Sequence, residues 1–215
     1  LTPGAFDTQL VLYDGDAFAT RLAAEGSSLV WSTYLGGKVF DRALALAVEP
    51  SGVAVVGGWT YSPDYPTTPG VFQQFTPSSA GWGDGFATRI APDGKALIAS
   101  TCIGSDREEL VEGIAVDASG MVSVVVHAAD TNTFPTTPGA FNTVPTNNDD
   151  LAVCRFDPGM TRLLYSTFIG GPLPDDALAM AMSPTRRVTA VGRSWGGYPT
   201  TPGAFSATSN GGTID

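Results

Sequence analysis

The heptapeptide Pro-Thr-Thr-Pro-Gly-Val/Ala-Phe is written three times, at 66–72, 135–141 and 199–205, and a shortened copy, LTPGAF, occupies 1–6. No other feature limits the fold so tightly. A catalytic motif is normally written once, whereas a segment recurring at near-constant spacing marks a repeat architecture, in which each unit buries its apolar face against the next. The proline of each Thr-Pro-Gly falls at 3, 69, 138 and 202, so the spacings are 66, 69 and 64 residues. Three further markers keep the same phase. They are DAFATRL, DGFATRI and DLAVCRF, starting at Asp16, Asp84 and Asp150; STYLGG, STCIGS and STFIGG, starting at Ser32, Ser100 and Ser166; and the stretches beginning at Ala45, Gly113 and Ala179. The chain therefore reads as three units, about 7–72, 73–141 and 142–205, with 206–215 leading into a fourth.

Each unit carries four strand signals. In the first they are AFATRLA (17–23), LVWSTYLG (29–36), ALALAV (43–48) and VAVVGGW (53–59), rich in β-branched and aromatic residues and punctuated by Gly, Pro, Asp and Ser. EPSG, between the last two, predicts a hairpin turn. DREELVEGIAV (106–116) has the glutamates of a short helix, but its sister segments in the other units read as strand, and the repeat takes precedence. The expected fold class is all-β, a β-propeller contributing three four-stranded blades to a larger or oligomer-completed ring, because a closed propeller uses four to eight blades. The chain also opens inside a linker motif. The remaining blades would come from the same longer chain or from a second copy.

Proline cannot donate to a sheet ladder, and the residue before it is pushed extended. The heptapeptide thus reads as a stiff crossover between the last strand of one blade and the first of the next. Phe6, Phe72, Phe141 and Phe205 should then occupy equivalent buried or inter-blade positions.

The succession DAFATRL, SLVWSTYLGG, ALAVEPSG, PTTPGVF resembles the bacterial SBBP beta-propeller repeat family over essentially the whole chain, and GIAVDASGMVSVV is similar to an NHL-type blade. The resemblance implies a propeller on a large secreted or cell-surface protein and brings no catalytic residues with it. The third unit departs from the pattern, with SPTRRV where the other two have a Ser-Gly turn.

Charge narrows the partners. Lys and Arg total 11 against 21 Asp and Glu, for a net charge of −10, which disfavours nucleic acid and anionic membranes. No apolar run reaches the ~18 residues of a spanning helix, so direct membrane insertion is not expected. Cys102 and Cys154 have no metal-ligand spacing and read as two buried small hydrophobes, with a disulfide as the minority alternative. Low Lys with abundant Gly, Thr, Ser and Pro suits a secreted, cell-surface or periplasmic protein.

Candidate site residues come from columns and from departures from them. His127 is the only histidine, aligned with Gly58 and Arg193 near the end of a fourth strand, and no Gly-x-Ser-x-Gly elbow accompanies it. Acids recur as Asp16, Asp84, Asp150 and Asp215 and as Asp41, Glu109 and Asp175; Arg21, Arg89 and Arg155 keep the same offsets, which predicts pairing of each arginine with the Asp41, Glu109 or Asp175 column. The loops holding Asp14, Asp16, Asp84, Asp149 and Asp150 offer carboxylates beside Gly or Asn, the oxygen chemistry of calcium, although no EF-hand spacing is present. Calcium is the one cofactor these loops suggest; otherwise none is expected. Trp59, Trp82 and Trp195 belong to no column and are the candidates for ligand or partner contact. Glu108, Glu112 and Asp176 stand beside columnar acids. The leading expectation is a non-enzymatic structural or interaction module binding a protein or polysaccharide. The alternative is a carbohydrate-binding or carbohydrate-active propeller with its site at the channel mouth.

Overall fold

The computed structural model describes residues 1–10, 15–74, 81–129, 133–146 and 149–208. They form twelve strands: β1 (Ala17–Leu22), β2 (Leu29–Leu35), β3 (Asp41–Val48), β4 (Ala54–Thr60), β5 (Asp84–Ile90), β6 (Leu97–Ile103), β7 (Glu109–Val116), β8 (Val122–Ala129), β9 (Asp149–Phe156), β10 (Leu163–Ile169), β11 (Asp175–Met182) and β12 (Val188–Ser194). The four strand signals of each unit all become strands, including the Glu-rich stretch that forms β7.

The pairing is out of phase with the sequence unit. Two four-stranded antiparallel sheets run β3-β4-β5-β6 and β7-β8-β9-β10, flanked by two-stranded sheets β1-β2 and β11-β12. The chain leaves one sheet for the next between β2 and β3, between β6 and β7 and between β10 and β11; β4 and β5, which flank the first complete heptapeptide, are hydrogen-bonded neighbours. The expected crossover is therefore misplaced by half a unit. Gly-Gly-Lys-Val-Phe (36–40) makes the change of sheet, and the proline-rich segment is a long connection within a sheet.

Its job is visible in its hydrogen bonds. Thr68 N–H donates to Ser100 O of β6, Thr137 N–H to Ser166 O of β10, and Thr2 N–H to Ser32 O of β2. In each case the segment lies along the outer strand of its own sheet and covers an edge that would otherwise present unpaired amide groups. The following phenylalanine then reaches the neighbouring sheet. Phe72 N–H donates to Met160 O in the β9–β10 turn, and its ring meets Phe156 edge-on at 5.7 Å. Phe6 N–H donates to Gly94 O in the β5–β6 turn.

Phe141 and Phe205 break this expected equivalence: Phe141 is 77% exposed and Phe205 fully so, against half-buried Phe6 and Phe72. Among the described residues neither makes the backbone bond to a strand turn that Phe6 and Phe72 make.

The sheets pack face to face in series. β7 lies against β3, β4 and β5, and β11 lies against β7, β8 and β9. Val55, Val111, Val124 and Phe156 anchor the core between the two large sheets, while Phe86, Ile90, Leu35 and Trp31 anchor the core next to it. Cys102 and Cys154 are buried and unbridged, their thiols pushed up to about 12 by burial.

Each of β3, β7 and β11 carries a bulge, between Ala43 and Ala45, Val111 and Gly113, and Ala177 and Ala179. The inserted residue is Leu44 or Leu178 in two units and Glu112 in the middle one.

Candidate functional site

Two sets of polar residues separate in the structure. One repeats in every unit; the other occurs once.

The repeated set joins the two acid columns. Glycine at 36, 104 and 170 lets a pair of carboxylates converge on the strand end: a Cβ on Gly36 would stand 2.6 Å from Asp41 Oδ2 and 2.8 Å from Asp16 Oδ1, and one on Gly104 would stand 2.8 Å from Glu109 Oε2 with Asp84 closer still. Asp150 and Asp175 meet at Gly170 in the same way. The Asp41, Glu109 and Asp175 carboxylates accept from the loop that changes sheets: Gly37 N–H to Asp41 at 2.7 Å, Ser105 N–H to Glu109 at 2.9 Å and Gly171 N–H to Asp175 at 2.6 Å. Ser62 Oγ also donates to Asp41, and Ser105 Oγ to Glu109. In the third unit Asp150 receives Thr146 N–H and Thr146 Oγ1.

Burial raises the carboxyl of Asp41 above its ordinary value, with the Asp16 charge adding to it. Burial and then the charge of Asp84 push Glu109 up to about 8, against the opposing Ser105 bonds. A neutral Glu109 beside an anionic neighbour is the state such a pair favours at neutral pH. These acids clasp the sheet-changing loops.

This bears on the calcium expectation. Asp16, Asp84 and Asp150 do converge with a second carboxylate, Asp149 points instead toward His127, and Asp14 lies outside the described residues, as does Asp215. Among the described residues no group of three or more His, Cys, Asp or Glu stands in an arrangement that could hold a metal ion.

The arginine column does not pair with these acids. Arg89 forms its ion pair with Glu49 of the β3–β4 turn and also donates to Pro158 O; Arg155 pairs with Asp117 of the β7–β8 turn. Arg21 donates to Pro92 O and Gly52 O and lies 5.5 Å over the Trp31 ring. The predicted partners were wrong because β4 pairs with β5, which brings the hairpin turn of one unit beside the first strand of the next. Ser183 takes the place of Glu49 and Asp117 in the third unit.

The second set is not repeated. His127 pairs opposite Leu110 just as Trp59 pairs opposite Arg42 and Arg193 opposite Asp176. The histidine thus aligns with Trp59, one residue from the expected Gly58, and its column holds three different side chains. His127 Nε2 lies 3.5 Å from Asp149 Oδ1 and 3.8 Å from Asp176 Oδ1. Arg193 grips Asp176 with Nε at 2.8 Å and Nη2 at 2.7 Å, and its guanidinium sits 5.0 Å over the Trp195 ring. Glu112 faces the same group. Burial and then the charge of Asp176 push its carboxyl up to about 7 while Arg193 works the other way, and its Oε2 is buried without a hydrogen-bond partner. A cleft of about 210 Å³ bounded by Leu151, Asp176, Arg193 and Tyr198 opens beside it.

The three tryptophans fare differently. Trp195 is part of this cluster. Trp59 lies against Phe40, tilted, and Tyr61, edge-on, with ring centroids 5.4 and 4.9 Å away, and Tyr61 Oη donates to Glu108. Trp82 is exposed, at 42%. They do not converge on one site. The sequence places Glu112 only beside the columnar Glu109, but it carries a sharper signal: it is the one acid in a column otherwise filled by Leu44 and Leu178.

Chemically, the cluster offers a histidine between two carboxylates, Asp176 gripped by Arg193, and a Glu112 whose carboxyl is raised to about 7. It can exchange protons and receive cationic or hydrogen-bonding groups. Comparison with protein-family models returned no match, nor did comparison with curated proteins.

Proposed function

We propose that the sheets are consecutive blades of a β-propeller of the SBBP repeat kind, with β3, β7 and β11 as the inner strands. In this reading the chain is a non-catalytic scaffold and interaction module of a secreted or cell-surface bacterial protein. The observation that carries it is the division of polar residues. The buried acids of all three units do the same clasping work, and the unshared residues Glu112, His127, Asp149, Asp176 and Arg193 gather at one place beside a cleft. A repeat supplies the scaffold, and its departures supply the contact surface. The ligand is a protein or a polysaccharide that meets an acidic rim with Arg193 and Trp195 at its centre. No cation is required, and calcium or a chelator is expected to leave the melting temperature unchanged.

The competing enzymatic reading would use Glu112 as a general acid beside Asp176, since glycoside cleavage employs a pair of carboxyl groups of which one is raised. A panel of neutral and acidic polysaccharides separates the two. The module reading expects no new reducing ends or unsaturated products, and binding of any retained glycan or protein weakened by Arg193→Ala and Trp195→Ala. Turnover that Glu112→Gln abolishes would overturn it.

A further inference from the structure

We propose that the sheets carry large-for-small packing keys that differ from one seam to the next, and that these keys fix which sheet packs on which. The inference rests on the strand pairing alone and holds for a propeller or for any other stack of these sheets. A chain of similar units faces a particular hazard. A strand or sheet of one unit can take the place of its sister, because the backbone patterns are the same. The units escape it where the side chains filling equivalent space differ in size, since the wrong neighbour then meets either a clash or a hole.

The first key lies where the turn of one sheet reaches back to the sheet before it. Trp31 on β2 pairs opposite Arg21, and Ala99 on β6 pairs opposite Arg89, so the two hold one repeat position. Gly94 of the β5–β6 turn and Met160 of the β9–β10 turn also share a position. Each donates its N–H three residues back, to Ala91 O and Asp157 O, and each carbonyl accepts the N–H of Phe6 or Phe72. At the first seam the bulk comes from the earlier sheet. Trp31 is 2% exposed, donates from Nε1 to Pro92 O at 2.9 Å, and covers Gly94 so closely that a Cβ there would stand 2.6 Å from Trp31 Cγ. At the second seam the sizes are exchanged. Ala99 stands on the strand, and Met160, fully buried, fills the same core from the turn. Met160 does so at a φ of 51°, a conformation that glycine adopts freely and methionine does not. Glycine would relieve that backbone, so packing of the side chain is what opposes the strain.

The second key lies inside the sheets. Phe86 on β5 pairs opposite Cys102 on β6; at the same positions of β9 and β10, Ala152 pairs opposite Phe168. The ring has changed strands. The aromatic residue of the preceding connection covers whichever strand carries it: Tyr65 stacks on Phe86 at 4.5 Å, and Phe134 tilts against Phe168 at 5.6 Å. The hydroxyl follows as well. Tyr65 Oη lies 2.9 Å from Thr88 Oγ1, whereas Phe134 has no hydroxyl and Cys154 stands at the Thr88 position. Crossing the units would set Trp31 against Met160, or Tyr65 over Ala152 and beside Cys154.

Thermal melts and refolding of residues 1–215 test this. Trp31→Ala and Gly94→Met are each expected to lower the melting temperature by at least about 5 °C, one by leaving a hole and the other by a clash. Together they write the Ala–Met key of the second seam into the first, and the double variant is expected to regain about half or more of the summed loss. Ala99→Trp with Met160→Gly makes the reciprocal exchange at the second seam and serves where a variant of the first does not fold. Rescue alone shows that the sizes are complementary; the ordering role has its own readout. A chain whose two seams carry the same key is expected to give at least about twofold less monomer than the parent on dilution from urea, compared at equal distances below each midpoint, because misordered sheets compete. Double variants that regain nothing at either seam overturn the keys. A rescued double variant that refolds as completely as the parent overturns the ordering.

Discussion

Truncation of Phe86 to alanine is expected to lower the unfolding free energy by about 3–5 kcal/mol, the range for a fully buried phenylalanine. Phe86 is at zero exposure on β5, between Tyr65, whose ring stacks on it at 4.5 Å, and the Ile90, Ala54 and Cys102 side chains of the same core. Alanine leaves a hole bounded by two paired strands, and neither can close on it without giving up ladder bonds. The chain itself contains the control. Phe18 holds the same repeat position on β1 but is 66% exposed; among the described residues no strand pairs on its side and no tyrosine covers it. Phe18→Ala is expected to change the stability of the single chain by less than about 1 kcal/mol, as surface substitutions do. Urea titration at a concentration that holds the chain monomeric measures both. A loss below about 1.5 kcal/mol for Phe86→Ala would show that the core between β4 and β6 repacks freely, contrary to the close packing described.

The contrast between Phe18 and Phe86 also shows how far the sequence could be read. Strand positions were legible because period-two patterning and turn residues act locally, and every unit repeated them. Sheet membership was not. A repeat fixes a period but not its phase, and cutting the series at Pro-Thr-Thr-Pro-Gly was as natural as cutting it at Gly-Gly. Only the hydrogen bonds choose, and they join β4 to β5 across the longer connection. That half-unit error carried over to Arg89 and Arg155, whose partners Glu49 and Asp117 lie on a hairpin turn that an intra-unit reading places elsewhere. It also hid the difference between Phe72 and Phe141, which close near-identical heptapeptides and differ in exposure, half-buried against 77%.

The candidate site is only partly legible in the sequence. Trp59, Trp82 and Trp195 stand out as large residues without sisters, but Glu112, a carboxylate in a leucine column, is the sharper departure. What concealed it was the bulge. The inserted residue on β3, β7 and β11 has no cross-strand partner, so its direction cannot be inferred from alternation. His127 was displaced by one residue for the same kind of reason: its neighbours were assigned by sequence spacing, and the register pairs it with Leu110, in line with Trp59 and Arg193.

Stability is expected to fall as pH rises from about 5 to 8, with Glu109→Gln removing most of the slope. Glu109 is fully buried, and its carboxyl is pushed from an ordinary 4.5 up to about 8, first by burial and next by the charge of Asp84. Because the folded chain holds this proton more tightly than the unfolded one, it binds more protons between those two values. Stability there decreases with pH, is complete below about 4.5 and reaches its lower plateau above about 8. Each unit of pH inside the window is worth up to about 1.4 kcal/mol per group, so a total of roughly 2–4 kcal/mol is expected. Glu112, raised to about 7 but partly open to solvent, adds a smaller slope of the same sign, as does Asp41. Asp64, Asp117 and Asp157 are lowered by hydrogen bonds and by Lys38, Arg155 and Arg162; their stabilisation is lost only as pH falls beneath the ordinary carboxylate range, outside this window. Glutamine keeps the shape of the protonated acid and cannot lose a proton. The variant is therefore expected to match the parent near pH 5 and to exceed it near pH 8 in denaturant melts. A parent whose stability rises with pH across this interval, or a Glu109→Gln chain as pH-dependent as its parent, would mean that Glu109 is ionised in the fold and that the loop clasp works by charge, not through a protonated carboxyl.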